Sequence, residues 1–283
     1  MLIGGIEAGG TKFVCAVGNQ HGEIVDKITF PTEDPESTLL QAKEFFDVHS
    51  IEAIGVGSFG PVDLNKDSTT YGTILNTPKQ KWKNYPLLDK LKQDYQIPIF
   101  LDTDVNAAAL GEYKFGQGRK TKSVLYITVG TGIGAGFVKE GRPYLGESHP
   151  EMGHIMVQQR VDDIFEGCCP YHQTCLEGLA SGPAIEKRYG KKGHELAAVD
   201  GVWELEAYYL SQAIMNYILV LSPGKIILGG GVMKQKQLYS LVQSKLIELL
   251  NGYMTIEEMA QFIVAPSLND EQGIKGAIAL TLS

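Results

Sequence analysis

The sequence predicts an α/β protein of two related domains, and three observations carry that expectation. A strand, a Gly/Thr-rich turn and a return strand open the chain over residues 2–17, and the same sequence of features recurs over residues 123–139. After each, apolar segments with helical spacing alternate with short apolar runs of strand length, the pattern of a sheet flanked by helices. Hydrophobic content of 43% and charged content of 20% over 283 residues supply enough core for one long or two medium domains.

The elements follow in order. Residues 2–6 are a short apolar strand, 7–12 a turn, 13–17 a return strand and 23–30 a third strand. Residues 37–48 carry helical spacing, 51–56 form a strand ending at Gly57, 85–93 a helix, and 97–101 a buried strand. A helix over 105–115 has Ala and Leu on one face. Gly116-Gln117-Gly118 is the natural hinge, because paired glycines absorb backbone rotation cheaply. The pattern then restarts: strand 123–129, turn 130–134, strand 135–139, helix 202–221, strand 225–228, helix 235–249, strand 261–265 and a closing helix over 273–282. Residues 146 to about 198 interrupt this second copy with weak periodicity and read as a functional insertion. Two α/β domains of related topology with a cleft between them are expected. One comprises residues 1–116 plus the closing helix, 272–283; the other, larger, comprises 117–271.

Charge and cysteine usage narrow the function. The formal net charge is −8 and no Lys/Arg block stands out, so a nucleic-acid partner is not expected. Three of only four cysteines fall within eight residues, which favours a metal in a reducing cytoplasm over a disulfide framework. The opening M-L-I-G-G-I-E lacks the basic and apolar regions of a signal peptide. No apolar run approaches the roughly twenty residues of a membrane span. A cytoplasmic protein is expected.

His154 to Cys175 is the most chemically loaded stretch. Cys169, His172 and Cys175 lie at C-x2-H-x2-C spacing, with His154 upstream as a fourth soft donor. Zinc takes four N or S ligands in a tetrahedron, and such spacing lets one loop supply three. The competing reading is a redox-active or merely buried thiol cluster. Glu151 and Glu177 flank the loop, where a metal scaffold would fix them to hydrogen-bond sugar hydroxyls; Asn76 and Asn106 offer amides of the same use.

The two Gly/Thr turns, Glu7-Ala8-Gly9-Gly10-Thr11-Lys12 and Gly130-Thr131-Gly132-Ile133-Gly134, suit an anion: glycines admit the backbone amides, threonine adds a hydroxyl and Lys12 a charge. Neither is a P-loop or a dinucleotide fingerprint. Placed equivalently in the two halves, they can grip the phosphates of one nucleotide. Asp102 and Asp104 stand where a buried strand gives way to an Ala-rich helix; one can cap that helix and the other serve as general base, with Asp104 the favoured base.

These residues carry a family resemblance. The first turn, Asp104-Val105-Asn106-Ala107-Ala108-Ala109-Leu110-Gly111-Glu112, the second turn, Glu151-Met152-Gly153-His154 and Cys175-Leu176-Glu177-Gly178 closely resemble the ROK family of sugar kinases. The stretch from Cys169-Pro170-Tyr171-His172 to Gly182-Pro183 resembles the bacterial fructokinases of that family.

The resemblance implies an actin-like ATPase (ribonuclease H-like) fold closing over ATP and a hexose, and a homodimer. Asp104 would accept the proton of the sugar 6-hydroxyl. Asn76, Asn106, Glu151, His154 and Glu177 would hold the sugar. Gly9, Gly10, Thr11, Lys12, Thr131 and Gly132 would meet phosphates, and Pro183, Gly230, Gly231, Val232 and Met233 would frame the adenosine. Zn2+ would sit on His154, Cys169, His172 and Cys175, the choice of Cys169 over adjacent Cys168 being the family's. Mg2+ would accompany ATP. Glu7 stands where the wider fold commonly has Asp. A broader hexokinase acting on mannose or glucose is the close alternative. A sugar-responsive repressor of the family would need a helix-turn-helix ahead of the first strand, and nothing here resembles one.

Overall fold

A computed structural model of the protein describes residues 1–282. In chain order the elements are β1 (Ile3–Ala8), β2 (Lys12–Gly18), β3 (Ile24–Pro31), α1 (Pro35–Asp47), β4 (Ala53–Ser58), α2 (Leu87–Asp94), β5 (Ile99–Thr103) and α3 (Asp104–Phe115). They continue with β6 (Ser123–Val129), β7 (Ile133–Lys139), β8 (Arg142–Pro143), α4 (Leu176–Ala180), α5 (Gly182–Tyr189) and α6 (Asp200–Leu221). The last are β9 (Ile226–Gly229), α7 (Gln237–Leu250), α8 (Met259–Phe262), β10 (Ile263–Val264) and α9 (Gln272–Leu280). Among the described residues no helix is long and apolar enough to cross a membrane.

The first sheet has the order β3-β2-β1-β4-β5, with β2 and β3 antiparallel to their neighbours and β1, β4 and β5 parallel. The second has the order β10-β9-β6-β7-β8, in which β6, β9 and β10 are parallel. Taken from its other end, the second order is that of the first, strand for strand. The repeat expected from the two Gly/Thr turns is therefore a repeat of sheet topology. The chain divides into two compact units, one of residues 1–123, 136–150 and 267 onward, the other of 124–135 and 151–266, so that the division falls within β7.

In the first unit the core gathers Ile6, Phe13, Phe46, Val56, Trp82 and Leu91 between the sheet and α1 and α2. Trp82 packs tilted against Phe13, ring centroids 5.4 Å apart, and donates its indole N–H to the Glu33 carbonyl at 2.9 Å, so its polar edge is satisfied inside an apolar site. Asp34 accepts the Ser37 amide at 2.9 Å, and Pro35 pre-sets the first helical dihedral, which fixes where α1 begins. On the other face α9 lies against α3 so closely that a Cβ on Gly276 would collide with the Ala107 backbone, and one on Gly111 with that of Gln272. Beyond α3, the buried Glu112 carboxylate accepts from the amides of Gln117 and Ser267, both at 2.8 Å, fastening the segment expected to act as a hinge.

In the second unit α6 and α7 pack together, and the insertion is fastened to α6 through a buried ion pair of its own. Arg188 of α5 bonds both oxygens of Asp163 at 3.3 and 3.2 Å, caps the Leu179 carbonyl at 2.8 Å, and lies 4.5 Å over the Phe165 ring. Tyr209 of α6 donates to the same Asp163 at 2.5 Å. The insertion is more regular than its sequence suggests, since it contains α4 and α5. Helices of five and eight residues span too few turns for a 3.6-residue period to show. Conversely, the strand expected over 261–265 is mostly absent: residues 259–262 form a helical turn, and only Ile263 and Val264 pair with β9.

Candidate active site and metal centre

The first unit supplies one glycine turn and the aspartates. Gly9 donates to the Lys12 carbonyl at 3.0 Å, and Thr32 braces the turn from outside through its hydroxyl to the Gly9 carbonyl and its amide to that of Thr11. Thr11 and Lys12 are exposed at the tip. Glu7 points the other way. Burial raises its carboxyl, Lys12 opposes that rise, and the Ile274 amide at the start of α9 bonds it. Its acid group thus serves the N-terminus of a helix. Asn76 is exposed on the loop between β4 and α2.

β1, β4 and β5 are parallel, and β5 ends at Thr103, the C-terminal edge where such sheets bind ligands. Neither aspartate caps α3 in the usual way. Thr103 is the N-cap, its hydroxyl accepting the Asn106 amide at 3.2 Å. Asp104 is instead the first helical residue, with Oδ1 accepting the Val105 amide at 2.9 Å. Asp102 is buried and accepts from the Thr103 amide and from Asn106 Nδ2, both at 2.7 Å; burial pushes its carboxyl up to about 6. Asn106 is wholly buried, its amide nitrogen engaged by Asp102 and, at 3.3 Å, by His149 Nδ1, while its Oδ1 has no partner among the described residues. His149, which the sequence reading left aside, is held well below the usual imidazole range, at about 4, by desolvation.

The second unit supplies the other turn and the metal-ligating residues. Gly130 accepts from the Gly182 amide at 2.8 Å, and its own amide bonds the Gly132 carbonyl at 2.9 Å. Gly182 and Pro183 open α5, where Ser181 is the N-cap, and Val232 approaches Gly182 from the end of β9. Strands β6 and β9 are parallel, so the residues that follow them, Gly130–Gly132 and Gly230–Met233, lie at one edge of the sheet. Gly230 has φ of 92°, the left-handed region that glycine tolerates without strain. Val232 and Met233 are buried in a 3-10 turn beneath.

His154, Cys169, His172 and Cys175 bring one ligand atom each within 4.8 Å of the others. Cys169 Sγ lies 3.7 Å from His154 Nδ1 and 3.8 Å from His172 Nδ1, and Cys175 Sγ lies 3.5 Å from His154 Nδ1. With Zn–S of ~2.3 Å and Zn–N of ~2.0–2.1 Å, a tetrahedron requires S···N of about 3.6 Å. The donor set and its spacing therefore fit zinc. Burial also raises the Cys175 thiol to about 11, a protonation state that a divalent cation at this point would reverse. Cys168 is not in the cluster; its thiol faces the Ser181 hydroxyl at 3.8 Å.

Local backbone explains the convergence. Gln173 adopts φ of 53°, folding Cys169 to Thr174 into a tight turn, and Cys175 is the N-cap residue of α4. His154 ends a 3-10 turn fastened to α6 by the Tyr217 hydroxyl, which donates to the Met152 carbonyl at 2.5 Å. Gly153 sits so close to the Ile133 carbonyl that a Cβ would collide with it. Glu177 then joins the parts: Oε2 accepts the Ile133 amide of the glycine turn at 2.9 Å, and Oε1 lies 4.0 Å from His154 Nε2. Glu151 is exposed, yet desolvation still raises its carboxyl, with His154 opposing and Glu177 adding to the rise.

Comparison with known proteins adds the lineage. The ROK family profile matches residues 3–283. A putative fructokinase of Bacillus subtilis (strain 168) is 53% identical over 283 residues, covering 99% of this chain and 95% of the relative. A fructokinase of Pediococcus pentosaceus is 42% identical over 280 residues, covering 99% and 97%. Among solved structures, a ROK family glucokinase from Streptomyces griseus in complex with glucose and AMPPNP superimposes with a TM-score of 0.78 at 26% identity, covering 99% of each chain.

Proposed function

The chain belongs to the ROK family, and from that premise we propose that it is a fructokinase of actin-like ATPase fold, transferring the γ-phosphoryl group of ATP to the 6-hydroxyl of D-fructose. The observation that supports this best is full-length identity of 42–53% to fructokinases in a chain that carries Asp104 at the end of a parallel strand.

In this reading Asp104 is the catalytic base. Its carboxylate takes the proton of the sugar 6-hydroxyl as that oxygen bonds to the γ-phosphorus; the bond from phosphorus to the bridging oxygen breaks and ADP leaves, giving fructose 6-phosphate. Asn76, Asn106, Glu151, His154 and Glu177 orient the sugar. For Asn106 the route is indirect as the side chain stands, because its amide nitrogen is already engaged. Gly9, Gly10, Thr11, Lys12, Thr131 and Gly132 receive the phosphates of MgATP through backbone amides, hydroxyls and the lysine charge. Pro183, Gly230, Gly231, Val232 and Met233 frame the adenosine. Residues 1–116 with 272–283 would thus carry the base and one phosphate turn, and 117–271 the other turn, the adenosine-framing residues and the metal ligands.

His154, Cys169, His172 and Cys175 would hold zinc, whose role there is structural: it orients the imidazole. With Nδ1 turned to the thiols, His154 presents Nε2 toward Glu177, so the two side chains act on the sugar as one surface. The working protein is a cytoplasmic homodimer in this proposal, with no nucleic-acid or membrane partner. A coupled kinase assay over fructose, mannose and glucose tests the substrate; a strong preference for glucose refutes fructose.

A further inference from the structure

Of the Asp102–Asn106–His149 chain in the first unit, Asn106 alone has a role above, and His149 has none. Asn106 Nδ2 lies 2.7 Å from Asp102 Oδ1. An ionised carboxylate can only accept, so this atom of Asn106 must be the amide nitrogen. The same nitrogen faces His149 Nδ1 at 3.3 Å, which makes Nδ1 the acceptor and puts the ring proton on Nε2. The tautomer is set by a buried neighbour rather than by solvent.

Two positions of this chain remain open among the described residues. Asn106 Oδ1 is a buried acceptor with no partner on a side chain that is 0% exposed. His149 Nε2–H is a donor whose ring makes no other hydrogen bond than that with Asn106. The two differ in access: Oδ1 is enclosed, whereas the His149 ring is half-buried and its Nε2 is not among the buried unpaired atoms, so an acceptor from outside the chain can reach it. A sugar hydroxyl is such an acceptor. The location agrees: Asn106 is in the first turn of α3, two residues after Asp104, at the C-terminal edge of β1, β4 and β5. Desolvation also keeps His149 neutral throughout the working pH range, so it is a polar contact and not a charge. Polyhydroxyl ligands are matched by neutral polar groups of this kind.

We infer that His149 is a further sugar-contacting residue, its Nε2–H donating to a hydroxyl of the acceptor hexose while Asn106 holds the ring in the required tautomer. The inference rests on the hexose-kinase reading above.

The test is steady-state kinetics of the full-length enzyme with His149→Phe and His149→Gln. Phenylalanine keeps the ring and removes both nitrogens; glutamine restores an N–H donor at similar reach. His149→Phe should raise KM for fructose about tenfold or more, the usual effect of removing one hydrogen bond to a substrate hydroxyl. KM for ATP should stay within about twofold, and His149→Gln should recover most of the loss. A fructose KM unchanged in His149→Phe, or sugar and ATP KM rising together, overturns the assignment. Should His149→Phe fail to fold, His149→Ala takes its place: a fructose KM raised about tenfold with a wild-type ATP KM supports the contact, and wild-type values for both refute it. A wild type that phosphorylates no hexose instead defeats the kinase reading, and this contact with it.

Discussion

Asp102 offers the sharpest test of how burial sets the energetics at the end of β5. Burial pushes its carboxyl from the ordinary aspartate value of 3.8 up to about 6 in the folded chain, outweighing the bonds from Asn106 and Thr103. That makes ionised Asp102 a burden of ~3 kcal/mol. The sign follows from the direction of the shift. A raised folded pKa contributes stability below the unfolded pKa, and that contribution is lost as pH rises through about 6. Asp102→Asn keeps an oxygen for both donors and removes the charge, so the variant should be more stable than wild type at pH 8. Following the two titrations, its advantage should shrink by about 1 kcal/mol between pH 8 and pH 5. The chain has two tryptophans, one buried in each unit, so in a Trp203→Phe background Trp82 fluorescence reports the first unit alone during urea unfolding. An advantage that does not change with pH, or grows toward pH 5, would refute the reasoning.

Asp104→Asn should lower kcat by ~10²–10⁴ while nucleotide binding, measured by calorimetry, is retained; substantial remaining turnover removes Asp104 from the role of base. Purified wild type should contain close to one zinc per chain by elemental analysis, and Cys175→Ser should lose it and raise KM for the sugar, whereas Cys168→Ser should do neither. Arg188→Ala leaves the Asp163 carboxylate buried without its cation, so the second unit should lose ~3–5 kcal/mol in denaturant unfolding, read by Trp203 in a Trp82→Phe background. A loss below ~1 kcal/mol would mean that the pair is solvated in the working protein.

Much of the architecture was legible in the residues. The two strand–turn–strand openings are local patterns, and the sheets that grow from them share one topology because the same alternation of strand and helix follows each. Legibility failed where elements are short or their neighbours decide. Helices α4 and α5 are too brief to declare a period, and the run over 261–265 has strand composition but only two residues beside β9. The capping of α3 was also misread. Asp, Thr and Asp in succession can each cap, and which one does depends on where β5 ends, by two residues in this case.

By itself the sequence determined the chemistry available: two thiols and two imidazoles at ligand spacing, two glycine turns, and an aspartate pair between strand and helix. Each is a property of neighbouring residues, and neighbours are fixed by covalent order. Only the tertiary structure decided how those groups are used. It turned Cys168 to Ser181, set Glu7 at the start of α9, carried the Glu177 carboxylate to the amide of Ile133, and brought His149 onto Asn106 across 43 residues of chain. A hydrogen bond depends on angles and on which competing partner arrives first in space, and linear order does not encode either.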